Sequence, residues 1–194
     1  MTMQKYCKIL LIILVPLIVY LMSFGILIYD SDFYTGLTEE YSSLDASQMN
    51  KDMVEYFKTG SISSGFTEFS AVELVHLEDV RVVINKLIVL LMILVVLFLV
   101  MLRFVENKRE ILFYGGIITV VIPVIFLLPF DLLFEKMHGL FFTSGTWIFS
   151  ADALLVNLYP FGFFFSFAKS IILGGFCLGL VITVFSSKLY SLPQ

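Results

Sequence analysis

Apolar residues along the chain fall into four long blocks separated by polar segments of unequal length. Roughly Ile9–Ile28, Val82–Leu102, Ile111–Leu128 and Ala168–Phe185 are each close to the run of about 20 apolar residues that a helix needs to cross a hydrocarbon core. Lys5 and Lys8 precede the first block, as in a signal peptide. Its apolar run exceeds the usual h-region of about 7–15 residues, so it reads as a retained anchor. The pattern predicts an all-α integral membrane protein with four transmembrane helices and a small extracytoplasmic α+β cap. The chain divides accordingly into 1–29 (N-terminal end and first span), 30–81 (first outer segment), 82–128 (spans two and three with their turn), 129–167 (second outer segment) and 168–194 (fourth span and tail).

Within the first outer segment, Met49, Met53, Tyr56 and Phe57 recur at helical spacing after Asp45-Ala46-Ser47, and Gly60 stands where a C-cap belongs. Ser61-Ile62-Ser63-Ser64-Gly65 reads as turn material joining two short strands. Ser70-Ala71-Val72-Glu73 fits a capping box, with Phe69 and Leu74 placed as a hydrophobic staple. No Gly or Pro follows before Arg103, so the second membrane helix is expected to begin outside the bilayer and run about 50 Å without a break. In the second outer segment, Met137–Phe142 and Thr146–Phe149 flank Ser144-Gly145, a pattern for a β-hairpin with a tight turn or for an aromatic belt at headgroup level.

Composition narrows the class further. The chain is 59% hydrophobic and only 14% charged, with a net charge of −4, which argues against both a cytosolic enzyme and a nucleic-acid binder. Lys5, Lys8, Arg103, Lys108, Arg109 and Lys188 fall on one side of the four-span plan. The positive-inside tendency makes that side cytoplasmic, with both termini, and turns Tyr29–Arg81 and Pro129–Phe167 outward. Cys7 and Cys177 are too far apart in the plan to form a disulfide framework.

Chemistry-bearing residues are few, and the only two histidines, His76 and His138, lie on the outer side at similar depth. Spans two and three are joined by a short turn, which makes them antiparallel neighbours and brings the two imidazoles within reach of each other. Glu73, His76 and Asp79 share one face of the second helix, so either carboxylate is a candidate to orient His76. Lys86 lies deeper near the same stripe and can snorkel outward. The plainer reading makes Glu73 a cap, Asp79 a solvated acid and each histidine an interfacial filler. No G-x-S-x-G or S-x-x-K pattern supplies a nucleophile. Two His with Glu73 offer three zinc ligands, without the H-E-x-x-H spacing of a metalloprotease. Gly175-x-x-x-Gly179 in the fourth span reads as a close-packing motif.

At these residues the sequence resembles the lipoprotein intramolecular transacylases (Lit), a family of four-span bacterial membrane proteins. The resemblance rests on Glu73-Leu74-Val75-His76-Leu77-Glu78-Asp79-Val80-Arg81, on His138-Gly139-Leu140-Phe141-Phe142 with Trp147-Ile148-Phe149, and on Tyr159-Pro160 with Phe163-Phe164. The acid that the family leads one to expect just before Trp147 is absent, since Thr143-Ser144-Gly145-Thr146 stands there. The resemblance implies a diacylated lipoprotein partner whose N-terminal Cys bears a diacylglyceryl thioether and a free α-amine. It implies transfer of the sn-2 acyl chain to that amine at the surface of the outer leaflet, among membrane lipids and without a cofactor or metal. On this reading His76, oriented by Asp79, is the base and His138 the acid, or the reverse. Glu73, Arg81, Lys86 and Lys136 are the orienting or oxyanion-assisting candidates, and Phe141, Phe142, Trp147 and Phe163 line the acyl groove. Two rivals stand beside it: a metal-dependent membrane hydrolase, and a non-enzymatic assembly or sensor subunit.

Overall fold

A computed structural model describes residues 2–127, 129–143 and 145–188. Eight α-helices account for most of them: α1 (Thr2–Ile28), α2 (Ser31–Tyr41), α3 (Ser47–Thr59), α4 (Ala71–Met101), α5 (Lys108–Val121), α6 (Phe130–Phe141), α7 (Leu154–Leu158) and α8 (Phe161–Lys188). No strand occurs among the described residues. The expected α+β cap is therefore all-helical.

Among the described residues, three helices are long and apolar enough to cross a membrane: Gln4–Ile28, Ala71–Phe104 and Phe161–Ser187. The third expected span, Ile111–Leu128, is not one continuous α-helix. After Val121 the chain tightens into a 3-10 stretch, Ile122–Leu127, and Leu128 lies outside the described residues. Pro123 accounts for the change, because it has no N–H to donate and its ring crowds the carbonyl one turn back, that of Thr119. The long α4 holds its expected unbroken course to Met101. Val89, Met92, Ile93, Val96 and Val100 are all exposed on it, as suits a helix that is apolar on every side.

The chain forms two compact units. The first comprises Met1–Phe24, Leu87–Leu127 and Ser170–Gln194, of which the tail 189–194 lies outside the described residues. Its core is Leu11, Val15 and Val19 of α1 against Val105 and Ile111. Lys8 pairs with Glu110, next to the Asn107 side chain that caps α5. The Gly175-x-x-x-Gly179 motif does pack closely. A β-carbon at Gly175 would lie 2.2 Å from the Tyr20 ring, and one at Gly179 would lie 2.9 Å from Thr119. The Tyr20 hydroxyl in turn donates to the Thr119 carbonyl at 2.8 Å.

The second unit comprises Gly25–Lys86 and Leu128–Lys169. Asp30 caps α2 by accepting the N–H groups of Asp32 and Phe33. The helix foreseen after Asp45 is α3, closed by Gly60 in the left-handed region with φ of 81°. Where two short strands were expected around Ser61–Gly65, the chain makes a 3-10 turn over Ser64–Glu68 that buries Phe66 against Tyr56 and Phe69. Asn50 is fully buried. Its amide donates to Thr38 Oγ1 at 2.8 Å and accepts from the Tyr159 hydroxyl at 3.0 Å, so one side chain satisfies α2, α3 and the turn before α8. Tyr34, Tyr159, Phe163 and Phe167 complete this core as edge-to-face pairs.

Replacing Gly175 by Ala is expected to displace the Tyr20 ring and its bond to Thr119, at a cost of about 1–3 kcal/mol. The change should lower the thermal unfolding midpoint in detergent. Gly36→Ala, where nothing lies within 4 Å of the added carbon, should hold or raise that midpoint. Equal midpoints for the two variants would refute the close-packing role of Gly175.

Candidate active site

The site grows out of the start of α4. Ser70 donates its backbone N–H and its hydroxyl to one oxygen of Glu73, at 2.8 and 2.7 Å, and Ser70 Oγ accepts the Glu73 N–H at 3.4 Å. The foreseen capping box is therefore in place. The second Glu73 oxygen accepts the backbone N–H of Leu155 at the start of α7, at 2.7 Å. Glu73 is 3% exposed and engaged on both oxygens, which makes it an anchor for α4 and α7, and neither oxygen bonds an imidazole.

One turn further along α4, His76 meets His138 of α6. Their ring centroids are 6.2 Å apart with planes 21° from parallel. Four aromatic side chains enclose the pair. Phe142 lies 4.8 Å from His76 and 5.4 Å from His138, Phe149 lies 5.4 Å from His76, Trp147 lies 4.9 Å from His138, and Phe134 lies 4.0 Å from His138 with its ring tilted by 41°. Both imidazoles are buried.

The two histidines are held differently. His138 Nδ1–H donates to the carbonyl of Phe134, one turn earlier on α6, at 2.8 Å. That bond fixes the tautomer and leaves Nε2 with the free lone pair. Burial draws the His138 pKa below the ordinary histidine value, against the smaller opposing pull of the Phe134 bond, so the ring is neutral at pH 7. By contrast, His76 Nδ1 is buried with no hydrogen-bond partner, and so is Trp147 Nε1. A buried polar atom without a partner costs about 1–3 kcal/mol, and two of them in one cluster mark a place where something else is meant to bind.

Other expected site residues divide clearly. Phe142 and Trp147 touch the pair. Asp79 acts on His76 only as a nearby negative charge, without a bond to its Nδ1. Arg81 is occupied elsewhere. Its guanidinium lies 3.6 Å from Glu78 and 5.5 Å from the Tyr56 ring centre, and it fills the space beside Gly60. Lys86 and Lys136 are exposed, and no interaction brings either to the pair. Phe163 is 2% exposed and packs into the Tyr34 and Tyr159 core. Phe141 is 45% exposed with no ring contact to either imidazole.

The expected hairpin is not found among the described residues. Met137–Phe141 belongs to α6, and Ser144, the first residue of the proposed turn, lies outside the described residues. The signal that could have shown this is the i, i+4 row of Phe130, Phe134 and His138, with Phe142 beyond it, which is helical spacing. The same row would have found Phe134, the missed partner of His138. Phe149, which stands in the Trp147-Ile148-Phe149 motif, is a further member of the site that the sequence did not single out. Among the described residues, no group of three His, Cys, Asp or Glu side chains is placed to hold a metal ion.

The family model for the lipoprotein intramolecular transacylase Lit matches residues 7–164. The chain belongs to the Lit family. Lit proteins are membrane acyltransferases of lipoproteins, so the reading of a non-enzymatic sensor or assembly subunit falls, and so does that of a hydrolase. No curated protein matches the chain. Among solved structures, the integral membrane Lit of Bacillus cereus shares 15% identity with a TM-score of 0.75 over 97% of this chain and 94% of that one. Variants of the same Lit with a histidine replaced by arginine or by alanine match with TM-scores of 0.76 and 0.79, at 16% and 15% identity, over 97% of this chain and 92% and 94% of theirs. At such low identity these structures bear on the fold, and the fold is that of Lit.

Titration of the imidazoles by NMR of 13C-labelled histidine provides the check on the electrostatics. His138 is expected to stay neutral as pH falls through about 6.5, where a free imidazole takes up its proton, and to titrate only below it. In that window the unfolded chain binds the proton and the folded chain does not, so stability should fall as pH falls. A His138 titration at or above the free value would contradict the burial argument.

Proposed function

We propose that His76 and His138 carry out the internal transfer of the sn-2 acyl chain of a diacylated lipoprotein to the α-amine of its N-terminal Cys, giving an N-acyl lyso-form. The single observation that carries this reading is the pair of imidazoles meeting inside one aromatic cluster, with one tautomer already fixed. Amine and ester belong to the same substrate molecule, so no enzyme nucleophile is needed. Orientation of an intramolecular reaction can supply roughly 7–11 kcal/mol.

The tautomer favours His138 as the base. The neutral amine adds to the sn-2 carbonyl carbon. Nε2 of His138 takes a proton from the nitrogen, which has become positive. As the tetrahedral centre collapses, the bond to the glycerol oxygen breaks and that oxygen receives the proton, assisted by the His76 N–H. The pair ends in the protonation state in which it began. Phe142 and Trp147 line the acyl groove, and the exposed Phe141 extends it toward lipid. No step uses a metal, so activity in chelator is part of the reading, and lipoprotein and lipids are the only partners it requires.

The same reading keeps the membrane plan. α1, α4 and α8 span, and α5 with its 3-10 extension makes the fourth crossing. Both termini and the Arg103–Glu110 turn are cytoplasmic, and the histidines face the outer leaflet.

The transfer is internal, so the substrate's total mass does not change. Fragmentation of the N-terminal peptide of a reporter lipoprotein must therefore locate the acyl group on the amine in cells that carry the protein. His138→Ala and His76→Ala are each expected to reduce that product by about 10²–10⁴-fold. Undiminished lyso-form from the double variant would overturn the mechanism.

A further inference from the structure

Trp147 is the chain's only tryptophan, and the indole Nε1–H, which can only donate, is buried without an acceptor. Its ring lies 4.9 Å from His138. A packing role does not call for an N–H there, since phenylalanine fills the other places around the pair: Phe134, Phe142 and Phe149. Acyl transfer brings three polar atoms into the cluster: the amine nitrogen, the carbonyl oxygen and the departing glycerol oxygen. The cluster offers three uncommitted nitrogens in answer: Nε2 of His138, Nε1 of Trp147 and Nδ1 of His76. Only the carbonyl oxygen gains full negative charge, and it needs a donor that holds no exchangeable proton of the relay.

We infer that Trp147 Nε1–H is the oxyanion donor of the acyl transfer, hydrogen-bonding the sn-2 carbonyl oxygen as charge develops on it. As the amine nitrogen bonds to the carbonyl carbon, the π pair moves to oxygen and is stabilised by the indole N–H. The pair returns as the bond to the glycerol oxygen breaks, and the indole proton stays where it was throughout. Since the N–H is buried, admitting the ester requires a shift of side chains in the cluster, in which Phe142 touches both imidazoles. This assignment rests on the histidine reading for the identity of the reaction centre.

The test uses the full-length protein in detergent with a synthetic S-diacylglyceryl cysteinyl peptide as substrate. Trp147 is replaced by 3-benzothienylalanine, in which sulfur stands for the N–H on an unchanged ring system, and separately as Trp147→Phe. Both are expected to lower kcat about 100-fold with KM within about twofold of the parent. As the sole indole, Trp147 also reports its own hydrogen bond by ultraviolet resonance Raman. The N–H band is expected to move to its bonded position with an unreactive analogue bearing an amide at sn-2, and to stay unbonded with an ether analogue that lacks the carbonyl. Benzothienylalanine protein with unchanged kcat, or an indole that reads unbonded with the amide analogue, would overturn the assignment. His76→Ala and His138→Ala in the same assay separate the two readings. If they remain active while the indole responds to the carbonyl, the histidine mechanism fails and the donor stands.

Discussion

The second unit depends on the carboxylate of Glu73. An ionised acid that is 3% exposed is costly unless it is well hydrogen-bonded, and here Ser70 supplies two donors and Leu155 a third. The bond to Leu155 joins residues 82 positions apart in sequence. It fixes the first turn of α4, where His76 follows three residues later, to the start of α7, which follows the segment bearing Trp147 and Phe149. The helix N-terminus favours a negative charge at this place, so the cap and the cross-link reinforce each other. An uncharged amide in place of the carboxylate could accept less and would meet the Ser70 N–H and the Leu155 N–H with one oxygen fewer.

A second economy runs through the same unit. The fully buried Asn50 bonds to both Thr38 and Tyr159, and nearer the surface the Tyr41 hydroxyl meets Ser166 at 2.8 Å. Tyr56 donates to Glu78 at 2.5 Å, while Arg81 lies over its ring and against Glu78. Burial and the Glu78 bond together push the Tyr56 phenol up to about 12, so it stays a donor at any pH the protein meets. Arg81 Nε is also without a hydrogen-bond partner, but that guanidinium is held by Glu78 and the Tyr56 ring, whereas the unpaired atoms of His76 and Trp147 sit together in one aromatic cluster around His138, which is why they read as places kept for substrate.

The parts legible in the sequence are those fixed by local chemistry. Ser70 and Glu73 announce a capping box by spacing alone, and Gly60 announces a left-handed cap. Met49, Met53, Tyr56 and Phe57 show their helix by period. The meeting of the two histidines followed from helix order, although it was α6, not a hairpin, that brought His138 in. That error has a physical source: Leu140, Phe141 and Phe142 have strand-like composition, but the row through Phe130, Phe134 and His138 gains ring packing only as a helix. Arg81 was beyond reach for another reason. Its place is decided by Tyr56 and Gly60, more than twenty residues away, and no local rule connects them. The same holds for Leu155, the distant partner of Glu73.

A buried neutral imidazole is a weaker base than a free one, and that would be a handicap if it had to deprotonate an ammonium before attack. Attack changes the requirement. Once the amine has added to the carbonyl carbon, its nitrogen is positively charged and sits on a carbon that bears two electron-withdrawing oxygens, one of them held by a hydrogen-bond donor. Inductive withdrawal makes its proton easier to remove than that of the free ammonium, whose pKa is about 7.7–8.0. Under those conditions a base drawn below the ordinary histidine value can still accept the proton, and its conjugate acid is the stronger donor to the glycerol oxygen that leaves. In the proposed mechanism, the apolar surroundings that lower the His138 pKa thus suit the second half of the reaction at little cost to the first. A site built almost wholly of phenylalanine, with two neutral imidazoles and one indole, can for this reason serve a lipid ester without holding an ion among its acyl chains.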